Sequence, residues 1–279
     1  MIAILGTGLL GSNFARALLA KGERVHVWNR TAERARALEA DGAHAFGDAA
    51  DAVRGADRVH IVVSDDAAVD GVLAAARLAA GTLVIDHTTT STAGARSRTA
   101  RSDITYVHAP VFMGPQNARE STGIMLVSGA RARVERVKPL VATMTGKLVD
   151  LGERVDAAAA FKLMGNTFLM GFTAGIAEML AVGKACGIAA DEAVGLFAHF
   201  NPGVATEARA RRIAGGDYAQ PSWELAMARK DARLVADEAA AAGVALMVVP
   251  GVAARMDEMI ARGHGHDDWC VIGKDALQR

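Results

Sequence analysis

Ile2-Ala3-Ile4-Leu5-Gly6-Thr7-Gly8-Leu9-Leu10-Gly11-Ser12-Asn13-Phe14-Ala15 opens the chain with four apolar residues, then three glycines spaced G-x-G-x-x-G, then a helical pattern that Leu18 and Leu19 continue. The apolar, partly β-branched run predicts a strand over 2–5, and the spacing of 14, 15, 18 and 19 predicts a helix with one apolar face. Each glycine between them has a chemical reason. The first permits a tight turn, the second lets a pyrophosphate approach the backbone, and the third lets helix and strand pack closely. Phosphates then sit on the free N–H groups and positive dipole end of the helix. Gly6, Thr7, Gly8, Leu9, Leu10 and Gly11 are accordingly assigned to a dinucleotide.

Residues 24–28 predict the second strand of a βαβ unit. Where an NAD site carries an acid for the ribose 2′-hydroxyl, this chain has Asn29, Arg30 and Thr31. A guanidinium beside an amide and a hydroxyl suits a 2′-phosphate, and charge-assisted hydrogen bonds of about 1.5–3 kcal/mol imply a roughly ten- to hundredfold preference for NADP over NAD. Thr31 is also expected to cap the next helix. Further strands are predicted over 58–63, 83–86, 106–111, 124–127 and 148–151, a weak one near Ala43, and helices over 32–39 and 131–144. In an open parallel sheet, ligands lie over the C-terminal strand ends. Val63, Ser64 and Asp65 should therefore border the nicotinamide half, with the carboxylates of Asp65 and Asp66 serving mainly as helix caps. The hydroxyl run His87-Thr88-Thr89-Thr90-Ser91 falls where substrate or nicotinamide would sit, although it can equally cap a helix near Thr92. The turn-rich loop Phe112-Met113-Gly114-Pro115-Gln116 is expected to wall the substrate.

Near residue 155 the alternation of strand and helix stops, and helices follow over 157–186, 190–199, about 203–213, 223–242 and 253–262. The fold class is thus α/β, with a Rossmann-type doubly wound parallel sheet over 1–155 and an all-α domain over 156–279. The helix over 157–186 is apolar on nearly every face and is expected to be mostly buried. Lys162 and Asn166 sit in it four residues apart, on one face with Leu169 and Thr173. A membrane span is discounted, because Lys162, Asn166 and Glu178 are spread along the helix and a mid-span charge costs roughly 2.5 kcal/mol or more. A lysine there can also simply extend its ammonium to the surface. In the helix over 223–242, Lys230 falls in line with the apolar Trp223, Met227 and Leu234. His264, His266, Asp267, Asp268 and Cys270 gather near the end without a standard metal spacing, so no metal is assigned and Asp268 is read as an N-cap.

Composition removes other classes. With 31 basic and 31 acidic side chains the chain has no net field for nucleic acid or an anionic membrane. Two distant cysteines form neither a disulfide framework nor a thiolate metal site, and no charged n-region with an apolar h-region precedes Ile2. A cytoplasmic location is expected.

Taken together, these motifs resemble the β-hydroxyacid dehydrogenases, the group containing 3-hydroxyisobutyrate dehydrogenase and glyoxylate and succinic semialdehyde reductases, with imine reductases as more distant relatives. The resemblance covers nearly the whole length. It rests on Gly6–Gly11, Asp86-His87-Thr88-Thr89, His108-Ala109-Pro110-Val111, Lys162 with Asn166, Lys230-Asp231 and Asp268-Trp269. It implies an NADP-dependent oxidoreductase acting on a small carbonyl or hydroxy compound, a homodimer by family habit. Lys162 would be the proton donor or base, and Asn166 would hold the substrate and orient the lysine. Thr88 and Thr89 would lie by substrate and nicotinamide, and Lys230 would close over the cofactor. Physical chemistry agrees, because a lysine desolvated on a helix loses pKa and becomes usable near neutral pH. One departure stands out: where the family has Ser-Gly-Gly to grip a substrate carboxylate, this chain has Phe112-Met113-Gly114, which favours a less polar or bulkier carbonyl compound. An imine reductase and a catalytically silent NADP-binding sensor are the alternatives; Lys162 favours carbonyl over imine chemistry, and the retained Lys162, Asn166 and Lys230 argue against the sensor.

Overall fold

A computed structural model describes residues 1–277. The chain forms two compact units, Met1–Thr167 and Phe168–Arg279. The first begins with β1 (Ile2–Leu5), α1 (Leu9–Ala20), β2 (Val25–Trp28), α2 (Ala32–Arg36), β3 (His44–Ala45), α3 (Ala49–Val53), β4 (Arg58–Ile61), α4 (Asp66–Ala76), β5 (Leu83–Asp86), α5 (Thr92–Thr99) and β6 (Thr105–His108). The six strands are all parallel, in the order β3-β2-β1-β4-β5-β6. Every residue of β1, β4 and β5 is buried, as a parallel sheet covered on both faces requires. Alternate residues feed opposite cores: Ile2 and Ile4 pack with Phe14 and Leu18, whereas Ala3 and Leu5 pack with Val59, Ile61, Val69 and Tyr106. The strand order reverses between β1 and β4, which opens a crevice at their C-terminal ends.

Residues 106–111 do not form one strand, as their sequence suggests. β6 ends at His108, and β7 (Val111–Phe112) joins β8 (Ile124–Val127) and β9 (Lys147–Asp150) in a second sheet, with α6 (Pro115–Glu120) and α7 (Arg131–Val141) between them. The reason is Pro110, which has no N–H for the first ladder and whose carbonyl instead accepts from Leu126 N–H at 2.9 Å. The loop from Val111 to Gly114 is thereby turned away from β5 and carried by the smaller sheet.

The long helix α8 (Ala157–Ala185) starts on the first unit. Asp156, immediately before it, is buried and ion-paired with Arg154 at 2.7 Å and with Arg96, and Ala158 N–H donates to Ser128 Oγ at 2.9 Å. The expectation of a mostly buried helix is not met. Only Ala157, Ala158, Ala159 and Glu178 are buried, while Phe161, Leu163, Met164, Phe168, Leu169, Met170 and Phe172 are exposed. A helix apolar on every side needs neighbours all round, and the chain supplies few. By length and composition alone α8 could cross a membrane.

The second unit continues with α9 (Ala190–Gly195), α10 (Thr206–Gly215), α11 (Leu225–Ala241) and α12 (Val249–Met259), closing around Tyr218, Leu225, Ala228, Met256, Met259, Cys270 and Val271. Two buried carboxylates organise it. Glu178 accepts from the consecutive N–H groups of Met247, Val248 and Val249 at 2.5, 2.8 and 2.9 Å, capping the start of α12. Asp268 is fully buried; it accepts from Cys270 N–H at 3.0 Å, from Ser222 N–H at 2.8 Å and from the Ser222 hydroxyl at 2.7 Å, and pairs with Arg212. It caps a single turn, Trp269–Gly273. Burial and the neighbouring Asp268 push the Cys270 thiol up to about 11, so it stays protonated at neutral pH.

Candidate functional site

The three loop glycines differ in what a side chain would meet. Gly6 has φ +102°, and a Cβ there would lie 2.1 Å from the Val62 carbonyl oxygen; one on Gly11 would lie 2.0 Å from the Gly6 carbonyl oxygen. Gly8 would meet nothing within 4 Å, because it faces open space. Turn, helix–strand contact and ligand approach are thus divided among Gly6, Gly11 and Gly8 as the spacing predicts. No side chain among the described residues caps the N-terminus of α1, whose amides are left for a ligand.

Gly8 opens onto a cavity of about 980 Å³. Its wall brings together Gly6, Leu9, Leu10 and Gly11 with Asn29, Arg30 and Thr31 after β2, Val63, Ser64 and Asp65 after β4, Thr88 and Thr89 after β5, Met113, and Lys162 from α8. Thr7 stands apart: its N–H donates to Asn29 Oδ1 at 3.0 Å, and it lines a smaller adjoining recess. Asn166, Phe112 and Gly114 are not on the cavity wall. Lys230 lies in α11 of the second unit, exposed rather than shielded on an apolar face, and paired with Asp231 at 2.6 Å; Trp223, Met227 and Leu234 are exposed with it.

At the β2 end the wall carries two cations, Arg30 and Arg34, neither of them in an ion pair among the described residues. Arg34 escaped the sequence reading; it lies in α2, which the loop carrying Arg30 leads into. Trp28 also lines the cavity and was not assigned, and His87, first residue of the run expected by substrate or nicotinamide, lines it too. Thr31 occupies the N-cap position of α2 but makes no side-chain cap, contrary to expectation; Asn29 Nδ2 instead donates to its carbonyl at 3.0 Å. Asp65 does cap α4, accepting from Ala68 N–H at 2.8 Å, and that bond holds its carboxyl below the usual range. Asp66 accepts from Ser91 N–H at 2.8 Å.

In the hydroxyl run, Thr88 Oγ1 accepts from Val63 N–H at 3.1 Å and Ser91 caps α5. Thr89, on the cavity wall, has no side-chain hydrogen bond among the described residues. His87 is the one imidazole on the wall, and its ring is already committed. Arg58 Nε–H, which can only donate, reaches His60 Nε2 at 3.1 Å; His60 Nδ1–H must then donate to His87 Nε2 at 2.8 Å, and His87 Nδ1–H to the Ala109 carbonyl at 2.7 Å. Burial lowers the His87 pKa to about 4 and that of His60 as well. Both ring nitrogens of His87 being occupied, it has none for a substrate. His108, standing where the resembled family has an acid, is buried and donates from Nε2 to the Thr88 carbonyl at 2.8 Å.

That leaves Lys162. It makes no ion pair or hydrogen bond among the described residues, including none with Asn166 one turn on, and its nearest partner is the Phe112 ring, whose centroid lies 4.3 Å from Nζ. Burial lowers its pKa. The arrangement fits a dinucleotide: an open glycine, uncapped helix amides, two unpaired arginines and an amine around one cavity.

Known proteins bear on the same architecture. Residues 1–152 match the NAD binding domain of 6-phosphogluconate dehydrogenase, and residues 156–273 match the NAD-binding of NADP-dependent 3-hydroxyisobutyrate dehydrogenase. A NAD-dependent L-serine dehydrogenase from Pseudomonas aeruginosa is 28% identical, over 98% of this chain and 96% of its own. A probable 3-hydroxyisobutyrate dehydrogenase from Mycobacterium bovis is 29% identical, over 87% of this chain and 86% of its own. An imine reductase from Myxococcus stipitatus, solved in complex with NADP+, shares the fold with a TM-score of 0.89 at 23% identity over 98% of both chains.

Proposed function

Because the chain belongs to the 3-hydroxyisobutyrate dehydrogenase family of NAD(P)-dependent oxidoreductases, we propose that it interconverts a small carbonyl compound and its alcohol or hydroxy acid, with NADP(H) preferred and Lys162 as general acid and base. The observation that carries this reading is a lone, desolvated lysine on the wall of the cavity that the glycine loop opens onto. When bound, the cofactor supplies or accepts a hydride at the substrate carbon. Lys162 gives a proton to the carbonyl oxygen in reduction and takes the hydroxyl proton in oxidation. Asn166 holds the substrate, Thr88 and Thr89 border it, and Met113 walls the pocket. In our reading residues 1–155 hold the cofactor, and residues 156–279 serve substrate binding and dimerisation, with Lys230 closing over the cofactor. An NADPH-oxidation screen over small aldehydes, keto acids and cyclic imines tests the activity. Turnover of imines but not carbonyls would favour imine reduction, and tight NADPH binding with no turnover at all would favour a silent sensor.

Arg30 and Arg34 support the cofactor preference, since a 2′-phosphate is the group two unpaired guanidinium ions would take up. Arg30→Ala is expected to lower the ratio of NADPH to NADH kcat/KM roughly ten- to hundredfold, with the Arg34 variant acting in the same direction. An unchanged ratio in the double variant would remove the argument for NADP.

The exposed apolar length of α8 supports a homodimer, because an apolar surface of this extent on a small soluble protein ordinarily finds a partner. Light scattering is expected to give twice the chain mass. Two free cysteines fit a cytoplasmic enzyme.

A further inference from the structure

Phe112 closes β7, opposite Ile124 of β8. Its ring packs on one turn of α8. The Lys162 ammonium lies over it, 4.3 Å from the centroid. Its tip meets Gly165, where a Cβ would fall 2.3 Å from the ring Cζ and 2.6 Å from Cε1. A glycine inside a helix costs about 1 kcal/mol relative to alanine, and here its missing side chain is the seat of the ring.

The chemistry around the lysine is as telling. The face of a phenyl ring is the negative end of its quadrupole, so it attracts an ammonium and repels a carboxylate. The other cations on the cavity wall, Arg30 and Arg34, follow β2, four strand positions along the sheet from β6, the strand that leads into Phe112. Asp65 and His87 are the remaining titratable groups on the wall, and neither pairs with Lys162. An acid substrate would therefore find one counter-ion near the reacting carbon, Lys162 itself, and would consume as an ion pair the proton donor it needs.

We propose that Phe112, seated on Gly165 and set back from the cavity wall, is the positioning residue for Lys162 and, through that ammonium, restricts the site to carbonyl compounds without a carboxylate close to the reacting carbon. This rests on Lys162 being the acid and base, so the test separates the two ideas.

The substrate arm compares butanal with succinic semialdehyde, equal in carbon count and differing by the carboxylate, in NADPH-dependent reduction. The wild type is expected to favour butanal at least about tenfold in kcat/KM, the loss expected when a carboxylate meets no partner, and Phe112→Ser to narrow that ratio. Gly165→Ala, which fills the seat, is expected to lower kcat for butanal with KM little changed. The second arm needs no turnover. Phe112→Leu keeps an apolar side chain but removes the ring face, and the Lys162 pKa, followed by NMR of the 13C-methylated amine, is expected to fall by about half a unit to one and a half units. A merely structural side chain would leave that pKa unmoved. Preference of the wild type for succinic semialdehyde, or an unshifted pKa in a Phe112→Leu protein that still binds NADPH, overturns the proposal. Full activity of Lys162→Ala would instead sink the acid–base reading while the pKa arm still reports on the ring.

Discussion

Lys162→Ala is expected to lower kcat/KM for carbonyl reduction by about 10²- to 10⁴-fold while NADPH binding is unchanged. The separation follows from where the side chain sits. The cofactor's phosphates are expected at the glycine loop and the arginines after β2, whereas the amine projects from α8 into the same cavity without an ion pair. The other imidazole or carboxylate candidates are committed: His87 by the row from Arg58 to the Ala109 carbonyl, Asp65 by the cap of α4. Lys162→Arg is not expected to rescue activity, since a guanidinium keeps its proton throughout the working range. Burial lowers the lysine pKa from 10.5, so reduction, which needs the ammonium, should decline as pH rises through the lowered value, and oxidation, which needs the free amine, should rise through it. Activity retained in full by the alanine variant would end the assignment.

Asp268→Ala is expected to destabilise the protein by about 3–5 kcal/mol, because it leaves the Arg212 charge and three hydrogen-bond donors without their buried acceptor. Chemical denaturation of the full chain is the measurement, and a change below about 1 kcal/mol would show that water replaces the carboxylate without cost. The pH dependence gives a second check. Burial alone would raise this carboxyl, but the N–H groups of Cys270 and Ser222 and the Ser222 hydroxyl outweigh it and hold the pKa well below the usual carboxylate range. A depressed folded-state pKa contributes stability that is fully present above the unfolded value, about 3.9, and is lost as pH falls through the folded value. The wild type should therefore lose stability below about pH 4 more steeply than Asp268→Asn.

The first half of the chain was legible because its signals are local. Glycine spacing, two-residue alternation and the missing acid after β2 each follow from a few adjacent residues, and β1, β5 and β8 fall where their patterns put them. What the sequence hid depends on distant partners. Nothing near Phe112 announces that its ring rests on a helix 53 residues later, and the only local hint is the helical cost of Gly165. The break at Ala109-Pro110 was available in principle from the proline, yet the hydrophobic run on both sides outweighed it. Hydrophobicity likewise predicted a buried α8, since composition records that a surface is apolar and not who covers it. Asp268 was recognised as a cap, but its grip on Arg212 and Ser222 joins segments about fifty residues apart. Glu178 entered only as a charge unsuited to a membrane.

That glutamate has a consequence for how the second unit comes together. By gripping the amides of Met247, Val248 and Val249 it closes a loop of 69 to 71 residues through one side chain. Bringing the ends of such a loop together costs about 4 kcal/mol of chain entropy, an outlay of the same order as the three charge-assisted bonds return. The clasp is therefore a late reward. The helices between its ends must already be compact before it can fasten, and a variant lacking it should unfold faster while folding at nearly the native rate.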